Sequence, residues 1–185
     1  MKSILSLLVF LIVLFFYLHI HYHLKVSDEL EVYEILDEPC KANLEEICEL
    51  RQPVRMKMKN DELMNICEIK NVSNKYSVFD VNVRNVKYQI NKREHLRVPL
   101  PLEHALKLIE NDIESKFFIE YNSEFLSETG IYKTYRNTDS LLRPCMLAGC
   151  RYDYLLGSKG TQTPFRYDIN FRNYIYVVSG TIKVK

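Results

Sequence analysis

An uninterrupted apolar run near the N-terminus dominates the hydrophobic pattern. From Ile4 to Ile20 the chain has no charged residue and only three polar ones. A helix that is apolar on every face is typical of a membrane span, and at about 1.5 Å per residue this run crosses most of a hydrocarbon core of roughly 30 Å. No small-residue cleavage site follows it, so the run predicts an uncleaved transmembrane anchor over residues 1–25 rather than a cleaved signal peptide.

The charges that flank the run indicate an orientation. Lys2 and the terminal amine precede it, while Lys25 follows it and an acidic stretch then begins. The positive-inside rule therefore favours a cytosolic N-terminus. The sequence thus predicts a single-pass membrane protein, with the lipid bilayer as one partner.

After the apolar run, the chain becomes polar and then shows first a helical and then an alternating pattern of apolar residues. Residues 26–43 are rich in acidic side chains and predict a solvated stalk. Asn43 followed by Glu46 resembles a capping box at the start of a helix, with apolar residues on one face. Apolar and basic residues alternate from Val54 to Met58, which is the pattern of a half-buried strand.

The remaining pattern places helices before strands. A second short helix begins at Asn60, strands are expected over 76–83 and 86–90, and a helix begins around Pro101. Its apolar stripe comprises Leu102, Ala105, Leu106, Ile109 and Ile113. From Lys116 onward, aromatic and β-branched residues predict strands in KFFIEY, TGIYKTYR, RYDYLLG, TPFRYDI and NYIYVVSGTIKVK. The predicted fold class is α+β, with one domain over residues 44–185 in which helices lead into an antiparallel sheet.

Composition narrows the functional classes. The 25 basic and 24 acidic residues give a net charge of +1, so no overall field attracts nucleic acid. Five cysteines, an odd number without a C-x-x-C pair, argue against a zinc knuckle and a fully paired disulfide framework. Mostly buried free thiols are expected. In an oxidising lumen, Cys145 and Cys150 can pair and Asn71 becomes a glycosylation acceptor.

The segment from Gly157 to Lys185 carries a spaced motif. The matching residues are Gly157, Gly160, Thr163, Pro164, Asp168, Asn173 and Gly180. The motif resembles the core of the JmjC and cupin-like hydroxylases, and the resemblance extends over roughly Leu44 to Lys185. It implies a partial double-stranded β-helix with flanking helices. The chain is also similar to cupin-like proteins of giant DNA viruses, which implies a host or virion membrane.

The resemblance also implies a set of site positions. Active members hold Fe(II) with two histidines and a carboxylate, and bind 2-oxoglutarate through a threonine and a lysine. Here Arg166 stands at the first histidine position, where its guanidinium offers a metal no lone pair. Asp168 stands at the carboxylate position, and no histidine follows His104. Remnants of the co-substrate site are Thr163, Asn173 and Lys183.

These substitutions favour a non-catalytic cupin-like domain that acts in binding or scaffolding without metal or cofactor. The first alternative is an Fe(II)/2-oxoglutarate-dependent protein hydroxylase or demethylase with an unusual site. The second is a secreted structural glycoprotein. A small barrel needs about eight strands, and the sequence given stops at Lys185. We therefore expect a truncated domain whose C-terminal edge strand pairs with a protein partner or a second protomer.

Overall fold

The computed structural model describes residues 2–24, 31–87, 96–166 and 170–184. The chain divides into two units. The first unit comprises residues 1–59 and 140–146, and the second comprises residues 60–139 and 147–185. Each unit has its own buried cluster of apolar side chains.

The first helix, α1 (Lys2–Leu24), forms where the apolar run predicts a helix. All of its described side chains, from Ile4 to Ile20, are exposed. They therefore add nothing to the buried core of the first unit, which lies among later elements.

The prediction of a transmembrane anchor is wrong. Within the part of the chain that the structure describes, no helix combines the length and apolar character that crossing a membrane requires. The predicted single-pass membrane location depended on this anchor and is corrected with it.

The rest of the first unit is a small α/β arrangement. Strands β1 (Tyr33–Ile35) and β2 (Val54–Met56) pair in parallel, and helix α2 (Lys41–Glu49) lies between them in sequence. The core consists of Ile35, Leu44 and Ile47, with leucines of the short helix α8 (Asp139–Leu142) packed against it. The predicted helix and strand are confirmed, but the N-cap is Cys40 and not Asn43.

A four-stranded antiparallel sheet organises the second unit. Its strands are β3 (Asp80–Asn85), β4 (Arg97–Pro101), β5 (Phe117–Ile119) and β6 (Leu156–Gly157), in the order β4-β3-β5-β6. Gly157 is required for close packing, because a Cβ at this position would lie 2.9 Å from the ring of Phe118.

Among the described residues of the second unit, five helices accompany this sheet. They are α3 (Asp61–Cys67), α4 (Ile69–Tyr76), α5 (Leu102–Glu110), α6 (Ser123–Thr129) and α7 (Tyr132–Asn137). The Asn60 side chain caps α3 by accepting a hydrogen bond from the Leu63 N–H at 2.9 Å. Leu102 and Ala105 of the predicted α5 stripe are fully buried, whereas Ile113 lies beyond the helix and is 98% exposed. The helix ends at Glu110 with Asn111 as its C-cap.

The C-terminal third departs most from the predicted pattern. The predicted strand at TGIYKTYR contains helix α7, and RYDYLLG contributes only the two residues of β6. The structure assigns no strand to 161–166 or 170–184, where the cupin-like sheet was expected to continue. Of the predicted strand over 86–90, residues 88–90 lie outside the described residues. The α+β class therefore agrees with the structure, while the transmembrane helix of the predicted fold does not.

Candidate functional site

One face of the four-stranded sheet is apolar and the other carries charge. Along β3, Val81 and Val83 are buried in the core, so the alternation of a strand turns Asn82 and Arg84 to the opposite face. Arg84 pairs in register with Arg97 on β4. Residues directly opposite one another in an antiparallel pair share a face. Arg84 and Arg97 are thus neighbours on the charged face of the sheet.

Arg84 is buried against a carboxylate. Its Nη1 lies 3.0 Å from Oε1 of Glu120, and the two side chains are only 5% and 1% exposed. The contact is an ion pair without good hydrogen-bond alignment, since Arg84 Nε and Glu120 Oε1 both lack a hydrogen-bond partner within the described structure. Charge attraction therefore carries this contact.

The protonation of Arg84 reflects this environment. Burial lowers the pKa of the guanidinium, and the positive charges of Arg166 and Arg97 lower it further, while Glu120 opposes them and raises it. The net effect is a pKa below the usual value for arginine. Several cations are thus crowded around one carboxylate.

Arg166, the residue at the predicted metal-ligand position, reaches the same carboxylate. Its Nη1 donates a hydrogen bond to Oε2 of Glu120 at 3.1 Å. The Arg166 side chain is 49% exposed. Glu120 therefore has one arginine at each oxygen, Arg84 in the interior and Arg166 facing solvent.

The residue after Glu120 has an unusual backbone. Tyr121 has a φ of 63°, a left-handed conformation that costs a non-glycine residue roughly 1–2 kcal/mol. The carboxylate of Asp153 accepts hydrogen bonds from the N–H groups of Tyr121 at 2.8 Å, Asn122 at 2.7 Å and Tyr154 at 2.9 Å. The buried side chain of Asn122 also donates to the carbonyl of Tyr154 at 3.0 Å. These bonds hold Tyr121 in place.

Three guanidinium groups surround the Tyr121 ring. The guanidinium carbons of Arg97, Arg151 and Arg166 lie 4.0 Å, 4.9 Å and 6.0 Å from the ring centre, within range of attraction to the π face. Arg97 and Arg151 are exposed, and neither has an ion pair with a residue that the structure describes. We call this site the arginine cluster, which comprises Arg84, Arg97, Glu120, Tyr121, Arg151 and Arg166.

The other predicted site residues lie at the surface. Thr163, Asn173, Lys183 and Asn71 are exposed. No described hydrogen bond or ion pair joins Thr163 or Lys183 to Arg166. Asn71 lies on α4 and donates to the carbonyl of Asn65 at 2.7 Å. Its glycosylation remains a prediction.

The described positions of the motif do not fit Fe(II). Arg166 is paired with Glu120, and a guanidinium has no lone pair for a metal. Asp168, the predicted carboxylate ligand, lies outside the described residues. Elsewhere in the described structure, no group of three His, Cys, Asp or Glu side chains is arranged to hold a metal ion.

A second cluster of titratable groups lies in the core. The thiol of Cys67 donates to the hydroxyl of Tyr135 at 3.4 Å. Burial raises the pKa of Cys67 and of Tyr135, and it raises the pKa of Tyr154 to about 12. These groups are neutral at pH 7, so Cys67 is no activated nucleophile. The expectation of mostly buried thiols holds for Cys67 but not for the exposed Cys40, Cys145 and Cys150, and all five thiols are free.

The motif pointed to only one member of the arginine cluster, Arg166. A local signal existed for Arg84 and Glu120, because Arg84 lies on β3 and Glu120 directly follows β5, and alternation with the buried Val83 and Ile119 turns both charged side chains away from the apolar core. For Arg97 and Arg151 the sequence has no such signal, since the fold alone brings them to Tyr121.

Comparison with known proteins supplied no relative: no family model, no curated protein and no solved structure matches this chain.

Proposed function

We propose that this protein is a non-catalytic binding protein and that the arginine cluster recognises a negatively charged group of its ligand. The observation that carries the proposal is the accessibility of Arg97 and Arg151 beside the Tyr121 ring. Exposed guanidinium groups bind carboxylates and phosphates through paired N–H donors. These properties support the arginine cluster as the surface for the proposed role in binding.

The arrangement favours binding over chemistry. Arg84 and Arg166 are both engaged with Glu120. Glu120 is only 1% exposed and has a guanidinium group at each oxygen, so it is not accessible to a substrate. Arginine itself stays protonated and provides no base. The described side chains of the cluster therefore supply positive charge and hydrogen-bond donors.

Thermal unfolding of the full chain tests the proposal. An anion that binds only the folded state raises the midpoint of unfolding by mass action. We expect phosphate, sulfate or acetate to raise it above the value in chloride at equal ionic strength. The double variant Arg97→Ala/Arg151→Ala should lose this increase, while Arg136→Ala, which removes an exposed arginine of α7, should retain it.

Two results would contradict the proposal. One is the absence of any anion effect beyond that of chloride, and the other is an equal effect in the double variant and the parent. The non-catalytic part is tested separately by incubation with Fe(II) and 2-oxoglutarate, where we expect no release of succinate.

A further inference from the structure

One edge of the small sheet in the first unit is open. Among the described residues, β1 pairs only with β2. The N–H of Tyr33 donates to the carbonyl of Pro53 at 2.9 Å, so Tyr33 directs its peptide groups towards β2. Because these directions alternate along a strand, the N–H and C=O of Glu34 point to the other side, where no described residue bonds them. A two-stranded sheet is only marginally stable, and a third strand adds to its stability.

The two faces of this sheet differ in character. Ile35 is buried, and Val54 and Met56 pack against its cluster. Glu34 and Arg55 lie opposite one another in register on the other face, where Nη2 of Arg55 donates a hydrogen bond to Oε1 of Glu34. The added strand therefore needs apolar side chains on one face and a polar or positively charged one on the other.

The open edge carries a local excess of negative charge. Residues 31–38 contain four acidic side chains, all exposed, and no basic one. Two exposed apolar residues, Val32 and Leu36, flank β1 on either side. A segment that binds this edge through main-chain hydrogen bonds is therefore expected to be basic and to alternate apolar and polar residues.

Residues 181–184 have these properties. Ile182 and Val184 alternate with Lys183, so in a strand the two apolar side chains lie on one face and the cation on the other. Ile182 and Val184 are 55% and 75% exposed. The structure assigns no helix or strand to this segment, and Lys183 has no hydrogen bond or ion pair with a described residue. Both the apolar face and the charge are thus available to a partner.

From this match we infer that the open edge of β1 binds residues 181–184 of a second copy of the chain as a third strand. Lys183 then lies beside Glu34, and the apolar residues of the segment lie beside Ile35. A second copy is the partner because the chain itself contains the complementary segment, and that segment is exposed in the single copy. The inference is independent of the arginine cluster and specifies the surface for the predicted pairing with a second protomer.

Sedimentation velocity of the full chain at increasing concentration tests the association. We expect the weight-average mass of the parent to rise with concentration. Lys183→Glu and Glu34→Lys each replace the opposite-charge pair by a like-charge pair, so association should be about five- to tenfold weaker in each. Two controls reverse exposed charges elsewhere in the same units, Lys159→Glu and Glu46→Lys, and both should associate as the parent does.

An equimolar mixture of the two charge variants gives the sharpest test. Neither variant forms an opposite-charge pair with a copy of itself. In the mixture, the edge of Glu34→Lys is complementary to the segment of Lys183→Glu, and the reverse pairing restores the original charges. Association should therefore return to within about threefold of the parent. Mixing would not repair a defect in folding, so recovery identifies a contact between copies.

Val184→Asp tests the apolar face of the segment. Association should be about tenfold weaker or more, because the new carboxylate must be buried beside Ile35 without a partner. Val78→Asp is the matched control, since Val78 is similarly exposed, at 78% against 75%, and it should associate as the parent does.

Hydrogen exchange at the amide of Glu34 identifies which copy supplies the segment. We expect this exchange to slow as the concentration rises. Slow exchange at every concentration without a rise in mass would mean that the segment pairs within its own copy, and it would overturn the inference. A parent whose mass does not rise would overturn it as well. So would an association that no variant changes, because it would then use a surface common to all of them, such as α1.

Discussion

The inner and outer arginines of the cluster differ in their access to water. Arg84 is 5% exposed and lies against Glu120, which is 1% exposed, whereas Arg97 and Arg151 are exposed. A buried charge depends on its protein partner, while an exposed charge keeps its hydration and gains little from any one contact. The same residue type therefore stabilises the sheet at one position and remains available to a ligand at the others.

The largest effect is expected from breaking the inner pair. Glu120→Ala leaves the guanidinium of Arg84 buried without its carboxylate, and loss of one partner of a buried pair costs about 3–5 kcal/mol. Unfolding in urea should show this loss in the free energy of unfolding. The control Glu128→Ala removes an exposed carboxylate of α6 and should change that free energy by less than about 0.5 kcal/mol.

A double variant separates charge from packing at the same place. In Arg84→Met/Glu120→Leu neither buried charge remains, and apolar replacement of a buried pair is often neutral or stabilising. We expect a free energy of unfolding within about 1–2 kcal/mol of the parent. A double variant as unstable as Glu120→Ala would show that the pair is needed for its shape and not only for its charge balance.

The next largest effect is expected in the turn at Tyr121 and Asn122, which is held by Asp153 and lies between Arg84 and the exposed arginines. Asp153→Asn replaces one carboxylate oxygen by an NH₂ group, so that Tyr121, Asn122 and Tyr154 compete for a single acceptor. An unsatisfied buried donor costs about 1–3 kcal/mol. Chemical denaturation should detect this loss, and ligand affinity should fall with it because Tyr121 is released. Unchanged stability would mean that other contacts hold the turn.

A smaller effect is expected at the ring of Tyr121. Tyr121→Leu keeps the backbone strain but removes the π face, and an exposed cation–π contact contributes about 0.5–1 kcal/mol. Affinity for phosphate should fall about two- to fivefold, the equivalent of that energy. Tyr121→Phe retains the ring and should bind as the parent does; if both variants lose affinity equally, the hydroxyl and not the ring is the important group.

The smallest effect on stability is expected at the outer arginines. Arg97→Ala and Arg151→Ala remove exposed groups that have no ion pair with a described residue, so the free energy of unfolding should change by less than about 0.5 kcal/mol. When stability and anion binding are measured on the same samples, both variants should lose affinity without losing stability. A loss of stability comparable to that of Glu120→Ala would remove the distinction between inner and outer arginines.

The sequence predicted elements whose apolar period matches their packing. Helix α5 is an example, because Leu102 and Ala105 of its stripe are fully buried. The segment TGIYKTYR failed for the opposite reason. Its tyrosines have high strand propensity, but that propensity depends on packing, and in α7 Tyr132 and Tyr135 reach the core at helical spacing.

The C-terminal segment shows a different limit of the pattern. Tyr176 and Val178 pack against the core while Ile175 and Val177 are exposed, so the alternation correctly separates two faces. A strand also needs a neighbour that pairs with its backbone, and alternation does not reveal one. Pairing of this segment with a partner protein or a second protomer remains a prediction.

The candidate site was predicted least well. The motif singled out Arg166 as a substituted metal-ligand position. Its contact with Glu120, however, joins two residues that are 46 positions apart in the sequence. A spaced motif describes one stretch of chain. The arginine cluster is instead assembled from β3, β4, the end of β5 and two later loops, so the tertiary fold had to be known.

That wide spacing in sequence has a consequence for folding. The cluster joins positions from Arg84 to Arg166, and contacts across such loops form only after much chain entropy has been lost. A ligand that requires all of them binds the fully assembled unit and shifts the opening equilibrium towards it. Slower hydrogen exchange at the backbone amides of β3 and β5 would therefore report that a ligand occupies the cluster, even when that ligand has no spectroscopic signal of its own.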